Sequence, residues 1–217
     1  MLRRLIIAGL VMSLASFLAL AGENCPSPCK SEEMSSHGQG EKADHHKAPD
    51  FTLENYDGME MSLSDFNDTV VVLEWFNYDC PFVKYHYEGR STMVDLAKKY
   101  EDKGVTWMAV NTTHYAGHQD NKDFAEQHSV PYPILNDSGG KTGHAYKATR
   151  TPEIFIVNTD GKIVYHGAID NAPLGKLNPG EEEKVNYVDK ALSELLEEKE
   201  ITIAKTKPYG CTVKYKD

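Results

Sequence analysis

The sequence predicts an α/β domain with a mixed central β-sheet flanked by helices on both faces. Apolar, β-branched runs at residues 70–76 and 105–111 are typical of buried strands, and stretches with helical spacing of apolar residues follow them. An Asp-Gly pair at residues 160–161 separates two further β-rich runs, which indicates a hairpin. Strands that alternate with helices favour parallel pairing, and hairpins add antiparallel strands.

The predicted elements follow one another along residues 48–217. An N-terminal hairpin turns at Asp57-Gly58, a helical turn follows at residues 64–66, and the first central strand is residues 70–76. A long helix over residues 81–100 is expected to kink at Gly89. Further strands are predicted at 105–111, 132–135, 153–157 and 162–166, and further helices at 118–127, 140–146 and 181–198.

Composition and charge restrict the class of partner. The chain of 217 residues has 33 acidic and 23 basic residues, a formal charge of −10. Because no basic surplus exists to neutralise phosphates, nucleic acid is not expected as a partner. A hydrophobic content of 40% is ordinary for a globular protein with a core of its own.

Residues 1–21 match the pattern of a secretory signal peptide. Arg3 and Arg4 precede an apolar run, and Ala19-Leu20-Ala21 fits a small-residue cleavage site. The alternative is an uncleaved anchor, although the apolar run is short for a membrane-spanning helix. We expect cleavage after Ala21, a periplasmic or secreted protein, and no stable membrane association afterwards. Thiols in such an oxidising compartment pair readily.

Residues 22–47 are predicted to form a flexible polar linker that cannot bury enough apolar surface to fold. The linker carries Cys25, Cys29, His45 and His46, and soft sulfur with imidazole ligands suits copper or zinc. Their spacing matches no standard zinc motif. The simpler interpretation is a solvated linker with a local disulfide between Cys25 and Cys29.

The stretch that carries chemistry follows the first central strand and reads N-Y-D-C-P-F-V-K. Pro81 suits the first position of a helix, because the N–H that it lacks would have no partner there. Cys80 is therefore expected at a helix N-terminus, where unpaired N–H groups and the helix dipole stabilise a thiolate. Lys84, one turn later, either adds positive charge near the sulfur or is a solvated surface lysine.

Four features together carry a family resemblance. They are the strand that leads to Cys80 and Pro81, Glu74 six positions before the cysteine, Thr151-Pro152 ahead of a hairpin, and a closing amphipathic helix. The chain thereby resembles the thioredoxin-like fold in its redoxin form (the alkyl hydroperoxide reductase and thiol-specific antioxidant relatives), with an N-terminal β-hairpin extension. It is similar to exported bacterial redoxins with E-W-F-N-x-x-C-P-F-V-K and K-P-Y-G-C-x-V-K-Y motifs, here residues 74–84 and 207–215.

The chain departs from that family in its second thiol. Val83 stands where thioredoxins carry the second cysteine, and Asn77 stands where a peroxiredoxin-type site would have Thr or Ser. Cys80 alone can form a mixed disulfide, but a second thiol must release the product. The resemblance implies that Cys211 is this resolving thiol and lies near Cys80, with Gly210 allowing a close backbone approach. The alternative is a structural staple worth about 2–5 kcal/mol.

The resemblance also implies roles for other residues. Glu74 is expected to exchange protons with a thiol, the alternative being a solvated carboxylate or one paired with Lys84. Pro152 is expected to be cis, which would turn the Thr151 backbone towards Cys80, ready to pair with an extended substrate. The residues expected to contact substrate are Trp75, Pro81 and Thr151, although Trp75 fits a core position equally well.

The resulting hypothesis is an exported thiol–disulfide oxidoreductase or antioxidant redoxin. Its partners would be protein or small-molecule thiols and disulfides and an external reductant, and no cofactor is implied. Two alternatives stay open at this point. One is a peroxide reductase with Cys80 as the peroxidatic and Cys211 as the resolving cysteine, and the other is a copper-handling protein that uses the Cys/His linker.

Overall fold

The computed structural model describes residues 46–216. The predicted signal peptide and most of the predicted linker, including Cys25, Cys29 and His45, lie outside the described residues. Within residues 46–216, no helix has the length and apolar character that a membrane span requires.

Seven strands form the central mixed sheet, and two short strands form a second sheet. The strands are β1 (Thr52–Asn55), β2 (Glu60–Ser62), β3 (Val70–Phe76), β4 (Val105–Asn111), β5 (Ile134–Asn136), β6 (Arg150–Thr151), β7 (Glu153–Val157), β8 (Ile163–Gly167) and β9 (Cys211–Thr212). The central order is β2-β1-β5-β4-β3-β7-β8. Strands β3, β4 and β5 run parallel, while the outer strands pair antiparallel. The predicted mixed sheet is confirmed.

Helices cover both faces of the sheet. They are α1 (Pro81–Tyr87), α2 (Thr92–Glu101), α3 (His118–His128), α4 (Lys141–Tyr146) and α5 (Tyr187–Leu196). Every residue of β3 is buried, as expected for a strand with both faces covered. Alternate β3 residues pack into two separate apolar clusters, one against α1, α2, α3 and α5 and the other against α4.

Two predicted helices differ from the structure. The helix predicted over residues 81–100 is broken into α1 and α2, because the chain turns at residues 88–90, where Gly89 has a φ of 74°, in the left-handed region. The last helix begins at Tyr187 rather than near residue 181. Asn186 caps it by accepting the Asp189 N–H at 2.9 Å, a cap that fixes where the helix starts.

The C-terminal tail, residues 201–216, passes beside Thr151 and Pro152. Strand β9 pairs antiparallel with β6, so that Cys211 stands opposite Thr151. Gly210 has a φ of 118°, and a Cβ atom there would lie 2.1 Å from the Thr151 carbonyl oxygen. The predicted close backbone approach at Gly210 is confirmed, and only glycine fits it without displacing the tail.

Candidate functional site

The site begins at the end of β3, where the turn is shaped by Asn77. The side-chain oxygen of Asn77 accepts the Asp79 N–H at 2.7 Å, and its carbonyl accepts the Cys80 N–H at 3.0 Å. Such Asx turns reverse the chain without help from a partner strand. The turn delivers Cys80 to the N-cap of α1 and Pro81 to its first position, as predicted.

Cys80 and Cys211 lie in direct contact. The Cys80 side chain is 1% exposed, and its sulfur lies 3.0 Å from the Thr151 carbonyl oxygen and 2.8 Å from the Cys211 sulfur. Both carry free thiols, and Cys211 is the more exposed of the two. The predicted proximity of the two cysteines is confirmed, across 131 positions of sequence.

The environment of Cys211 favours its protonated form. Burial, together with the hydrogen bond and charge of the adjacent Cys80 sulfur, raises the pKa of Cys211 to about 11. Two sulfurs in this position can join as a disulfide when the pair loses two electrons and two protons. Cys80 and Cys211 can therefore interconvert between two thiols and one disulfide, although the second thiol comes from the tail instead of from α1.

The loop before β7 contacts both cysteines: the Thr151 carbonyl oxygen lies against the Cys80 sulfur, and Thr151 pairs with Cys211. The Thr151–Pro152 peptide is cis, which confirms that prediction. The carboxylate of Glu153 accepts the Thr149 and Arg150 N–H groups, each at 2.8 Å. Because Glu153 is 1% exposed, these bonds fix the loop from inside. The Thr151 backbone faces Cys80, as expected, but Cys211 of the same chain already pairs with it.

Glu74 lies on the β3 face that packs against α1 and is completely buried. The Tyr87 hydroxyl donates to its carboxyl oxygens at 2.9 and 2.8 Å, and Tyr132 and Trp107 lie at 3.3 and 3.4 Å. Burial raises the pKa of Glu74 to about 7, despite these hydrogen bonds, which lower it. The alternative of a solvated carboxylate is wrong. Its hydrogen bonds among the described residues reach neither sulfur, so proton exchange with a thiol stays a prediction.

Trp75 does not line a substrate groove. The side chain is 0% exposed and packs between Tyr146 and Phe155, with ring centroids 5.0 Å from each. Its indole N–H donates to Thr112 at 3.1 Å. Trp75 belongs to the apolar cluster opposite the one that contains Cys80, so its predicted contact with substrate is wrong.

The other predicted substrate contacts and Lys84 lie closer to Cys80. Pro81 is exposed beside Cys80, whereas the Thr151 side chain is buried and only its backbone faces the site. Lys84 lines a surface cavity together with Asp79 and Glu88. The roles of Pro81, Thr151 and Lys84 stay predictions.

The metal hypothesis concerns residues that are mostly outside the described part of the chain. His46 is the one linker ligand candidate within residues 46–216, and it is exposed. In that same range, no group of three or more His, Cys, Asp or Glu side chains is arranged to hold a metal ion.

Sequence reasoning missed several polar residues around the site. Tyr87 and Tyr132 enclose Glu74, and the hydroxyl of Tyr209 bonds to His86 and Asp170 beneath the tail. Tyr209 stood within the K-P-Y-G-C motif, which was the one available signal. The remaining residues meet only in the folded protein, and no local sequence pattern predicts their contacts.

Thiols paired at a helix N-terminus beside a cis-proline loop, on a mixed sheet covered by helices, define a thioredoxin-like protein. The architecture is shared with the thioredoxin domain of a thiol-disulfide oxidoreductase from Bacteroides vulgatus, at 22% identity and a TM-score of 0.51 over 58% of this chain and 89% of that one. Residues 45–166, more than half of the chain, match the AhpC/TSA family model. The protein belongs to the AhpC/TSA family.

Two further relatives are informative. The chain is 28% identical over 120 residues to "Thiol-disulfide oxidoreductase ResA" of Bacillus thuringiensis subsp. konkukian, which spans 54% of this chain and 65% of that relative. The chain thus covers just under two thirds of that protein. An uncharacterized conserved protein from Geobacillus kaustophilus is 30% identical, with a TM-score of 0.69 over 79% of this chain and 92% of that one.

Proposed function

We propose that this protein is an exported thiol–disulfide oxidoreductase whose redox couple is Cys80 and Cys211. The observation that carries the proposal is the 2.8 Å separation of the two sulfurs at the N-terminus of α1. The similarity to a protein named as a thiol-disulfide oxidoreductase supports the same chemistry. Export is supported by the signal-peptide pattern of residues 1–21.

Cys80 acts as the nucleophile in this scheme and Cys211 as the resolving thiol. The Cys80 thiolate attacks a substrate disulfide, forms a mixed disulfide and releases the first substrate thiolate. Cys211 then loses its proton to solvent or base and attacks the Cys80 sulfur. The second substrate thiolate leaves, and the Cys80–Cys211 disulfide remains. An external dithiol reduces this disulfide and restores both thiols.

The raised pKa of Cys211 suits this order of events. While Cys80 is a thiolate, its charge helps to keep Cys211 protonated and unreactive. Formation of the mixed disulfide removes the contribution of Cys80, so the pKa of Cys211 falls part of the way, to the value that burial, the larger cause, still sets. The proposal assigns Glu74, whose pKa burial raises to about 7, the exchange of a proton with a thiol on the same side of the sheet. Pro81 and the Thr151 backbone are assigned to substrate contact, and Lys84 to the positive charge near the Cys80 sulfur.

Turnover with a small disulfide and excess dithiothreitol tests the proposal. The wild-type chain is expected to catalyse the reaction and Cys80→Ser to abolish it. Without dithiothreitol, the reduced Cys211→Ser variant should stop after one mixed disulfide. Cys80→Ser with wild-type turnover would contradict the proposal. A reduced protein that consumes hydrogen peroxide stoichiometrically but does not reduce disulfides would favour peroxide reduction, which the AhpC/TSA membership keeps as the second candidate.

A further inference from the structure

The tail crosses α1 in a fixed register. Cys211 meets Cys80 at the N-terminus of the helix, and Tyr209, two residues earlier, meets His86 in its last turn. The Tyr209 ring also packs on Phe82, with centroids 5.9 Å apart. Two tail residues thus contact the two ends of one short helix.

Tyr209 is held by buried polar groups and not by apolar contact alone. Its hydroxyl donates to Asp170 Oδ1 at 2.8 Å and lies 2.9 Å from His86 Nε2. Asp170 and His86 are both 0% exposed. The other carboxylate oxygen of Asp170 lies 2.8 Å from Lys184 Nζ. A hydrogen bond to a buried charged group is stronger than one between neutral groups.

The direction of each hydrogen bond follows from the groups involved. The Tyr209 proton goes to the carboxylate of Asp170, so the hydroxyl oxygen must accept from His86 Nε2–H. Burial lowers the pKa of His86 to about 4, which keeps the imidazole neutral at physiological pH. A neutral ring with its proton on Nε2 leaves Nδ1 without a proton, and Nδ1 is the buried atom of His86 that has no hydrogen-bond partner.

A second anchor holds the tail beyond Cys211. The Tyr215 hydroxyl donates to the Ala148 carbonyl at 2.8 Å, and its ring stacks on His144 with centroids 4.0 Å apart. Cys211 therefore lies between two tyrosine anchors. Tyr209 is the nearer one, and it alone among them contacts the helix that carries Cys80.

We propose that Tyr209 is a positioning residue for the resolving thiol: its bonds to Asp170 and His86 set the register of the tail, so that Cys211 stands against Cys80. The inference rests on the proposed function, because it assumes that Cys211 resolves a Cys80 mixed disulfide. Loss of the Tyr209 hydroxyl should slow resolution without slowing the first attack by Cys80.

The test separates these two steps with 5,5′-dithiobis(2-nitrobenzoate), whose released thiol is coloured. The full chain carries Cys25→Ser and Cys29→Ser, so that only Cys80 and Cys211 react, and one equivalent of reagent is added to the reduced protein. The first thiol is released when Cys80 attacks, and the second when Cys211 resolves the mixed disulfide. Stopped-flow absorbance gives both rates.

Tyr209→Phe is expected to slow the second release roughly tenfold, the effect of losing one hydrogen bond to a charged group, and to leave the first release as fast or faster. Tyr209→Ala, which also removes the ring contact with Phe82, should slow the second release further. The matched control Tyr56→Phe, in the N-terminal hairpin, should change neither rate. Second release at the wild-type rate in both Tyr209 variants, or equal slowing of both releases, would overturn the inference. Failure of the proposed function looks different: the parent chain itself would release only one thiol.

Discussion

Replacing Glu74 with Gln should remove a pH dependence from the stability of the fold. Glu74 is completely buried, and burial raises its pKa from the ordinary 4.5 to about 7. Folding therefore binds a proton between these two pH values, and the folded state loses stability as pH rises through this window. Gln has the shape of the protonated acid and can keep a hydrogen bond to Tyr87, but it does not titrate.

The size of the effect follows from the two pKa values. Each tenfold change in proton affinity is worth about 1.4 kcal/mol, so the shift from 4.5 to about 7 corresponds to about 3 kcal/mol. Relative to Glu74→Gln, the wild-type protein should be most stable below pH 4.5. The unfolding free energy of the wild type relative to that of Glu74→Gln should fall by about 3 kcal/mol by pH 8 and stay constant at higher pH.

Urea denaturation of the reduced wild-type protein and of Glu74→Gln, at half-unit steps between pH 4 and 8.5, measures this difference. Groups that titrate in both proteins cancel when the two unfolding free energies are subtracted. Glu60→Gln, which replaces an exposed carboxylate on β2, is the matched control and should run parallel to the wild type. Parallel profiles for the wild type and Glu74→Gln across the whole range would refute the reasoning.

Two further substitutions test the geometry of the tail and the core. Gly210→Ala places a Cβ 2.1 Å from the Thr151 carbonyl oxygen, so the tail must shift away from Cys80. Alkylation of Cys80 by a bulky maleimide should therefore accelerate several-fold. An unchanged alkylation rate would contradict the close packing of the tail against Thr151. Trp75→Phe loses the 3.1 Å bond to Thr112 and leaves a gap in the core, so unfolding should become easier by roughly 1–3 kcal/mol in urea titrations. Disulfide turnover by Trp75→Phe should match that of the wild type. A large rise in KM would indicate that Trp75 contacts the substrate after all.

Local patterns predicted those parts of the fold that depend on local chemistry. The β3 run and the Asp160-Gly161 hairpin were predicted correctly, because burial and turn chemistry act within a few residues. The position of Cys80 at a helix start was predicted for the same reason, since Pro81 marks the first turn. The break near Gly89 was expected only as a kink, because single residues do not reveal how far the chain turns.

The strand period could have excluded one wrong assignment. Glu74 and Trp75 are neighbours in β3, so their side chains must point to opposite faces of the sheet. They cannot both serve the site at Cys80, and the structure leaves Glu74 on that side. The aromatic side chain of Trp75 fitted a groove and a core position equally well, whereas the alternation of the strand already favoured the core.

The support beneath the tail could not be predicted from the sequence. Tyr209 meets His86 across 123 positions and Asp170 across 39. Neither partner belongs to a motif, and a buried histidine or aspartate has no local signature. Only the tertiary fold brings them together. The proximity of Cys80 and Cys211 was predicted by resemblance alone.

The most direct test of the account is the disulfide connectivity of the oxidised protein. The protein is oxidised with glutathione disulfide, free thiols are blocked, and peptides are mapped by mass before and after reduction. We expect a Cys80–Cys211 linked peptide that disappears on treatment with a dithiol and returns on reoxidation. Cys80 linked to Cys25 or Cys29, or Cys80 and Cys211 both alkylated after oxidation, would contradict the central claim.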